Sequence, residues 1–151
     1  MKRFRFPLQS VSTVRAWRER AAREAFATAV QQLAQADQAL QQVRTRVVEL
    51  ENLLRHGQAT TFRPQEHAAA VTAYQHELLN VRAAEEKRAA ADSALTRARQ
   101  DWQAARNQLR VINQLEQRAR QAHGLAQEKD EQSALDEIAT LRASRAGLVQ
   151  S

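Results

Sequence analysis

The chain has 151 residues, of which 30 are alanine and 19 are glutamine, whereas only seven are phenylalanine, tryptophan or tyrosine. Its net charge of +6 is uneven, since residues 1–30 carry seven basic and two acidic side chains and residues 121–151 carry three basic and five acidic ones. This composition argues against a compact globular core. With three glycines, two prolines and no cysteine, it also excludes a turn-rich fold, disulfides and thiolate metal sites.

The first predicted element is a helix that begins near Leu8, after a start in which basic and aromatic residues alternate. Pro7 suits the first helical turn because its φ is preset. Further along, apolar residues follow a strict 3-4 spacing for three heptads. This spacing is typical of a coiled coil, because a 3.5-residue period keeps one seam against a partner. The seam residues are Leu33, Ala36, Leu40, Val43, Val47, Leu50 and Leu54.

The helical pattern stops at residues 56–64, which contain Gly57 and Pro64. We expect Gly57 to follow the last helical residue in a left-handed conformation and Pro64 to restart the chain, with Glu66 in the next first turn. Two long helices joined by so short a turn should pack against each other as an antiparallel hairpin.

The second predicted helix repeats the heptad pattern, and Glu77 and Arg88 are the two positions that break it. Trp102 falls on this seam and is expected in the core, whereas Trp17 lies off the apolar line of helix 1 and is favoured as a contact for another protein. The seam residues are Tyr74, Val81, Ala84, Ala91, Leu95, Ala98, Trp102, Ala105, Leu109 and Ile112, flanked near the turn by Val71 and Leu78.

These patterns predict an all-α fold, a long two-helix antiparallel coiled-coil hairpin that forms a single elongated domain over residues 1–151. Helix 1 is expected over about 8–55, the turn over 56–64 and helix 2 over about 65–146. At ~1.5 Å per residue helix 1 spans about 70 Å, and a partner of equal length ends near Ala119. The residues from Arg120 onward form a C-terminal helical overhang with no partner inside the chain.

No motif in the sequence indicates an active site, a cofactor or a metal. His67 and His76 are nine residues apart, which places them on opposite sides of a helix, so no set of metal ligands emerges. There is no glycine-rich phosphate loop and no nucleophile elbow. We therefore expect a protein that is not an enzyme and that has no cofactor.

Membrane and nucleic-acid binding are weakly indicated. The longest uncharged stretch, Ala25–Ala36, has twelve residues and is too short to span a bilayer, so we expect a soluble or peripheral chain with a mature N-terminus. Arg99, Arg106 and Arg110 share one helix face, as in a nonspecific nucleic-acid binder. Acidic residues interrupt that stripe, so solvated coiled-coil faces are the simpler interpretation.

Two terminal signatures do not arise from the heptads. The chain opens on Phe4-x-Phe6-x-Leu8-x-x-Val11-x-x-Val14-Arg15, and an alanine-rich helix follows. Toward the far end, Trp102 is followed by Leu109, Leu115 and Arg118, and then by Gln132-x-x-Leu135-Asp136-Glu137-Ile138-Ala139. Over nearly the whole chain this pattern resembles the FliJ family of flagellar type III export proteins.

The resemblance implies a non-enzymatic stalk or adaptor of the flagellar export apparatus, similar to the central stalk of rotary ATPases and involved in flagellum biogenesis and motility. Its implied partners are the hexameric export ATPase, the export gate protein FlhA and export chaperones, with no nucleic acid. The implied location is cytoplasmic, peripheral to the inner face of the cell membrane through the gate. A generic coiled-coil adaptor that dimerises through Arg120–Gly147 is the alternative, and a nonspecific nucleic-acid binder is a weaker one.

The resemblance also implies which residues bind the partners. At the joined termini, the ATPase-contacting residues would be Phe4, Phe6, Arg15, Trp17, Leu135, Asp136 and Ile138. Near the turn, the gate-binding residues would be Tyr74, Leu78 and Val81. Family members often carry aromatic residues on helix 1 before the turn, where this chain reads Val47-Val48-Glu49-Leu50-Glu51 and departs from the pattern.

Overall fold

The computed structural model describes residues 2–59 and 63–150, which form two long α-helices and no strand. The first helix, α1, covers Gln9–Ala59, and the second, α2, covers Pro64–Val149. The two helices pack together, which confirms the predicted all-α helical hairpin.

The entry into α1 is a tight turn. Residues 2–6 have no regular secondary structure, and the backbone N–H of Gln9 then donates to the carbonyl oxygen of Phe6 at 3.1 Å. Pro7 takes the second position of this turn, where its fixed φ is favourable. The backbone N–H of Ser12 donates to the carbonyl oxygen of Leu8 at 2.9 Å, so regular α-helical bonding follows directly.

The first helix extends beyond its expected end. The helix continues through Gly57 to Ala59, past the expected last residue Arg55. Gly57 is buried inside the helix, and no glycine in the described part of the chain has a positive φ. A glycine inside a helix lowers helix stability by only about 1 kcal/mol relative to alanine. Packing around the buried Gly57 is enough to offset a cost of this size. Residues 60–62 of the predicted turn lie outside the described residues.

The second helix begins at Pro64, close to the expected position, with Glu66 in its first turn. It runs without interruption through Gly124 and ends at Val149, a few residues beyond the predicted end. The acidic stretch after Gln127 is therefore helical as well.

The packing divides the chain into two units. The hairpin unit comprises Glu19–Ala105, and the terminal unit comprises Met1–Arg18 and Arg106–Ser151. In the hairpin unit, every predicted seam residue is buried or half-buried, and Leu40 is only 4% exposed. Leu78, predicted beside the seam, is 41% exposed. A two-helix seam has a single row of facing side chains, which explains why so few residues are fully buried.

In the terminal unit, Ile112 is the most buried hydrophobic residue at 2% exposure, and Ser12 is also buried. Half-buried positions on α2 continue past the expected end of pairing at Ala119 as far as Gln127, and every described residue after Gln127 is exposed. The overhang therefore begins later than the predicted Arg120. The reason is that the segment before α1, residues 2–6, covers the additional turns of α2.

Candidate partner-binding sites

The two tryptophans occupy opposite environments, each in its own unit. The indole Nε1 of Trp102 donates to Glu19 Oε1 at 3.0 Å, and its ring stacks on Phe26 with the centroids 5.3 Å apart. Arg99 places its guanidinium 5.8 Å from the Phe26 centroid. Trp102 is therefore a core residue of the hairpin unit, as predicted. Trp17, in the terminal unit, is 67% exposed.

In the terminal unit, Phe4 anchors the segment before α1, residues 2–6, which we call the N-terminal arm. The Phe4 ring lies 5.4 Å from the His123 ring, and the guanidinium of Arg120 lies 4.9 Å from the Phe4 centroid. Arg120 is also held by Glu116 at 3.1 Å, which orients the cation. These contacts between ring and cation favour burial of Phe4 against α2.

In the part of the chain that the structure describes, the N-terminal arm is held on α2 by the aromatic contact of Phe4 and not by an ion pair. Lys2 lines a shallow groove of about 520 Å³ that also contains Asp130 and Glu131. Within the described residues, the arm makes no ion pair with this acidic stretch. An exposed ion pair would contribute under ~1 kcal/mol, so its absence is no obstacle to packing.

The predicted ATPase-contacting residues all lie in the terminal unit, and the structure sorts them into two groups. One group contacts the chain itself: Phe4 packs on α2, Phe6 is half-buried, and Arg15 Nη1 donates to the carbonyl oxygen of Gln108 at 3.2 Å. The other group is exposed to solvent. It consists of Trp17, Leu135, Asp136 and Ile138.

The exposed overhang carries an apolar face. Leu135 and Ile138 are 61% and 48% exposed, and Leu141, one helical turn further on, is 58% exposed. Within the described chain these side chains pack against no other element, because every residue after Gln127 is exposed. Leu141 is not among the predicted ATPase-contacting residues, and its helical spacing from Ile138 was the signal that could have identified it.

Among the predicted gate-binding residues, Tyr74 is tied to α1. Its hydroxyl donates to Glu51 Oε1 at 3.1 Å. This hydrogen bond, together with partial burial and the negative charge of Glu51, raises the pKa of Tyr74 above its ordinary value. Val81 is half-buried, whereas Leu78 is more exposed. Of the three residues, only Leu78 has an exposed apolar side chain. The side chains of Tyr74 and Val81 are half-buried within the hairpin.

Sequence reasoning missed a groove between α1 and α2 in the hairpin unit, which we call the hairpin groove. It has a volume of about 930 Å³, and none of the three predicted gate-binding residues lines it. Its lining combines apolar side chains with two carboxylates, one guanidinium and one imidazole. The lining residues are Arg46, Glu49, Leu50, Leu53, Ala69, Thr72, Ala73, His76 and Glu77.

The two positions that break the heptad seam have different environments. Arg88 forms an ion pair with Asp37 of α1, and this hydrogen bond raises the pKa of Arg88 further above its usual range. Glu77, which lines the hairpin groove, has a buried Oε2 atom that finds no hydrogen-bond donor within the described residues. Among the described residues, one interruption of the seam is therefore paired, whereas the other leaves a carboxylate oxygen without a donor.

Across residues 2–59 and 63–150, no helix is long and apolar enough to cross a membrane. In the same part of the chain, no three acidic, histidine or cysteine side chains converge as a metal site would require.

The fold and the exposed side chains together define a class of protein. It is a helical hairpin whose candidate partner-binding sites are exposed faces of its helices. The sequence model of the flagellar FliJ protein family matches residues 4–148, almost the entire chain, so the chain belongs to the FliJ family. No curated protein and no solved structure matches it. Membership gives the chain a non-enzymatic role in flagellar type III protein export.

Proposed function

We propose that this chain is a stalk or adaptor that links the hexameric flagellar export ATPase to the export gate protein FlhA, with export chaperones as further partners. The family match over residues 4–148 supports a place in this apparatus. The single observation that carries the proposal is the apolar face of the overhang, which no other element of the described chain covers.

The terminal unit is the proposed ATPase-binding end. Trp17, Leu135 and Ile138 expose large apolar surfaces, and binding energy at protein interfaces concentrates in such side chains, tryptophan above all. Asp136 is exposed next to Leu135 on the overhang and adds a charge that selects the partner. Phe4, Phe6 and Arg15 fix the N-terminal arm and the start of α1, so they preserve the shape of this surface.

The gate-binding end is proposed on the hairpin unit. Leu78 supplies accessible apolar area, and Tyr74 and Val81 hold the two helices in register beside it. In this role the chain is cytoplasmic and reaches the inner face of the membrane through the gate protein. It requires no cofactor and no nucleic acid.

Two double variants test the assignment of the two ends. Phe4→Ala with Phe6→Ala should abolish stimulation of the export ATPase, because the arm loses its contact with Arg120 and His123. Helicity should hardly change, since the arm is not helical. The matched pair Tyr74→Ala with Leu78→Ala should spare ATPase stimulation and weaken binding to the gate protein. The measurements are ATP hydrolysis by the purified ATPase, pull-down with the gate protein and circular dichroism.

Two outcomes would contradict the proposal. If the Tyr74 and Leu78 pair lost ATPase stimulation while the Phe4 and Phe6 pair kept it, the two ends would be assigned the wrong way round. If neither pair changed either readout, the generic adaptor that dimerises through Arg120–Gly147 would be the better account.

A further inference from the structure

The hairpin groove contains an acceptor that the described residues leave unpaired. Oε2 of Glu77 is buried and has no donor among the described residues, although Arg46 and His76 line the same groove. His76 is engaged with the side chain of Asn80 at 3.3 Å, within its own helix. A buried carboxylate oxygen without a donor is unfavourable, so a donor that reaches it from a bound partner would be favourable here.

The comparison with Arg88 shows that the fold is able to satisfy a charge on this seam. Arg88 interrupts the same heptad pattern, and Asp37 of α1 pairs with it. The walls of the groove include Leu50 and Leu53 from α1, whose side chains cannot donate a hydrogen bond, and Arg46, which also lines the groove, does not bond Oε2. A donor supplied by a partner would therefore satisfy this oxygen.

We propose that the hairpin groove binds a segment of the export gate protein in which a lysine or arginine, flanked by apolar side chains, pairs with Glu77. This inference rests on the proposed function and specifies its chemistry. Leu53, which is 47% exposed, and the neighbouring apolar wall take the apolar part of the segment. The carboxylate takes its cation, and a charge pair formed in such a partly desolvated groove is stronger than one on an open surface.

The groove favours a cation over an anion. Glu49 and Glu77 contribute two carboxylates to the lining, and Arg46 contributes one guanidinium. An incoming anion would meet both carboxylates and would leave Oε2 of Glu77 without a donor. A neutral apolar segment would cover Oε2 completely and increase its desolvation, which is also unfavourable.

The test is a binding titration of the purified cytoplasmic part of the gate protein with the full-length chain and two variants. Glu77→Gln keeps the shape of the side chain and removes its charge, and it should weaken binding about tenfold or more. Glu86→Gln is the matched control, because Glu86 is an exposed carboxylate on the same helix that does not line the groove, and it should leave binding unchanged.

A second measurement separates a binding role from a structural one. Glu77→Leu restores an apolar residue to the heptad seam and removes the unpaired oxygen. It should therefore raise the thermal unfolding midpoint of the free chain while it abolishes binding to the gate protein. If Glu77 instead stabilised the fold, Glu77→Leu would lower the thermal unfolding midpoint.

The outcomes distinguish the two proposals. If the unsubstituted chain binds the gate protein and Glu77→Gln binds equally well, the groove inference is overturned and the proposed function stands. If Glu77→Leu lowers the unfolding midpoint, Glu77 is structural and the inference is likewise overturned. If the unsubstituted chain does not bind the gate protein at all, the gate-binding half of the proposed function and the inference both fail.

Discussion

The two tryptophans, Trp17 and Trp102, show that the position of a residue in the heptad pattern decides whether its side chain lies in the core or is exposed. Trp102 falls on the seam of α2, and its indole nitrogen and ring are both engaged, by Glu19 and by Phe26. Trp17 falls off the apolar line of α1 and is largely exposed. The phase was readable from the sequence, but the hydrogen bond to Glu19 was not, because it joins residues far apart in the chain.

Tyr74 gives a prediction about pH. Its hydroxyl donates to the Glu51 carboxylate, so the protonated phenol favours the fold and the pKa is raised above the ordinary 10.0. This stabilisation is fully present below pH 10 and is lost as the pH rises through the raised pKa. Since Tyr74 is the sole tyrosine, a titration followed by tyrosinate absorbance reports it alone. We expect a midpoint above that of a free tyrosine side chain.

The control for this titration is Glu51→Ala, which removes both the acceptor oxygen and the negative charge. The midpoint of Tyr74 should then fall toward its ordinary value. An unchanged midpoint in this variant would show that Glu51 does not cause the shift.

At the scale of elements, the seam was predictable and the helix ends were not. The 3-4 spacing from Leu33 to Leu54 identified the packed face of α1 because burial in a coiled coil follows residue spacing directly. Gly57 was expected to end α1, but glycine only permits a left-handed conformation and does not impose one. The later start of the overhang was missed because the packing of Phe4 on α2 has no local signal in the sequence.

Gly124 gives a test of helix propensity. It lies inside α2, and a Cβ added there would meet no atom within 4 Å. Gly124→Ala should therefore increase the free energy of unfolding by about 0.5–1 kcal/mol, measured by chemical denaturation and circular dichroism.

Gly147→Ala is the matched control, because its added Cβ would also meet nothing within 4 Å. Gly147 lies in the exposed overhang, so this substitution should add helical signal at the end of α2 without moving the main unfolding transition. A lower stability for Gly124→Ala would show that α2 packs more closely at this point than the structure indicates.

The overhang itself is expected to open easily in the free protein. Every described residue after Gln127 is exposed, so the amides of this segment should exchange with solvent early. In hydrogen-exchange mass spectrometry, Leu135–Leu141 should exchange before Leu95–Ile112. Adding the export ATPase should slow exchange in the first segment. Equal protection of the two segments in the isolated chain would mean that the overhang self-associates or folds back.

At the scale of the whole molecule, the sequence and the structure each identified a different candidate binding surface. The sequence identified the terminal residues, and the structure identified the hairpin groove. The terminal signatures around Phe4 and Leu135 pointed to the family because they are not products of the heptad pattern. The hairpin groove was not predictable in the same way, because it is formed by residues of two helices, and Glu77 was visible only as an interruption of the seam. The sequence did not show whether a residue of α1 would donate a hydrogen bond to Glu77, because that depends on which side chains of α1 face it.

The terminal unit is proposed to contact the export ATPase. The most direct test of this contact is photo-crosslinking with a benzophenone amino acid placed at Ile138 or at Leu79, two exposed apolar positions on α2, one in the terminal unit and one in the hairpin unit. With the assembled ATPase hexamer, Ile138 should give a crosslink to the ATPase and Leu79 should give none. A crosslink to the ATPase from Leu79 together with none from Ile138 would contradict the account.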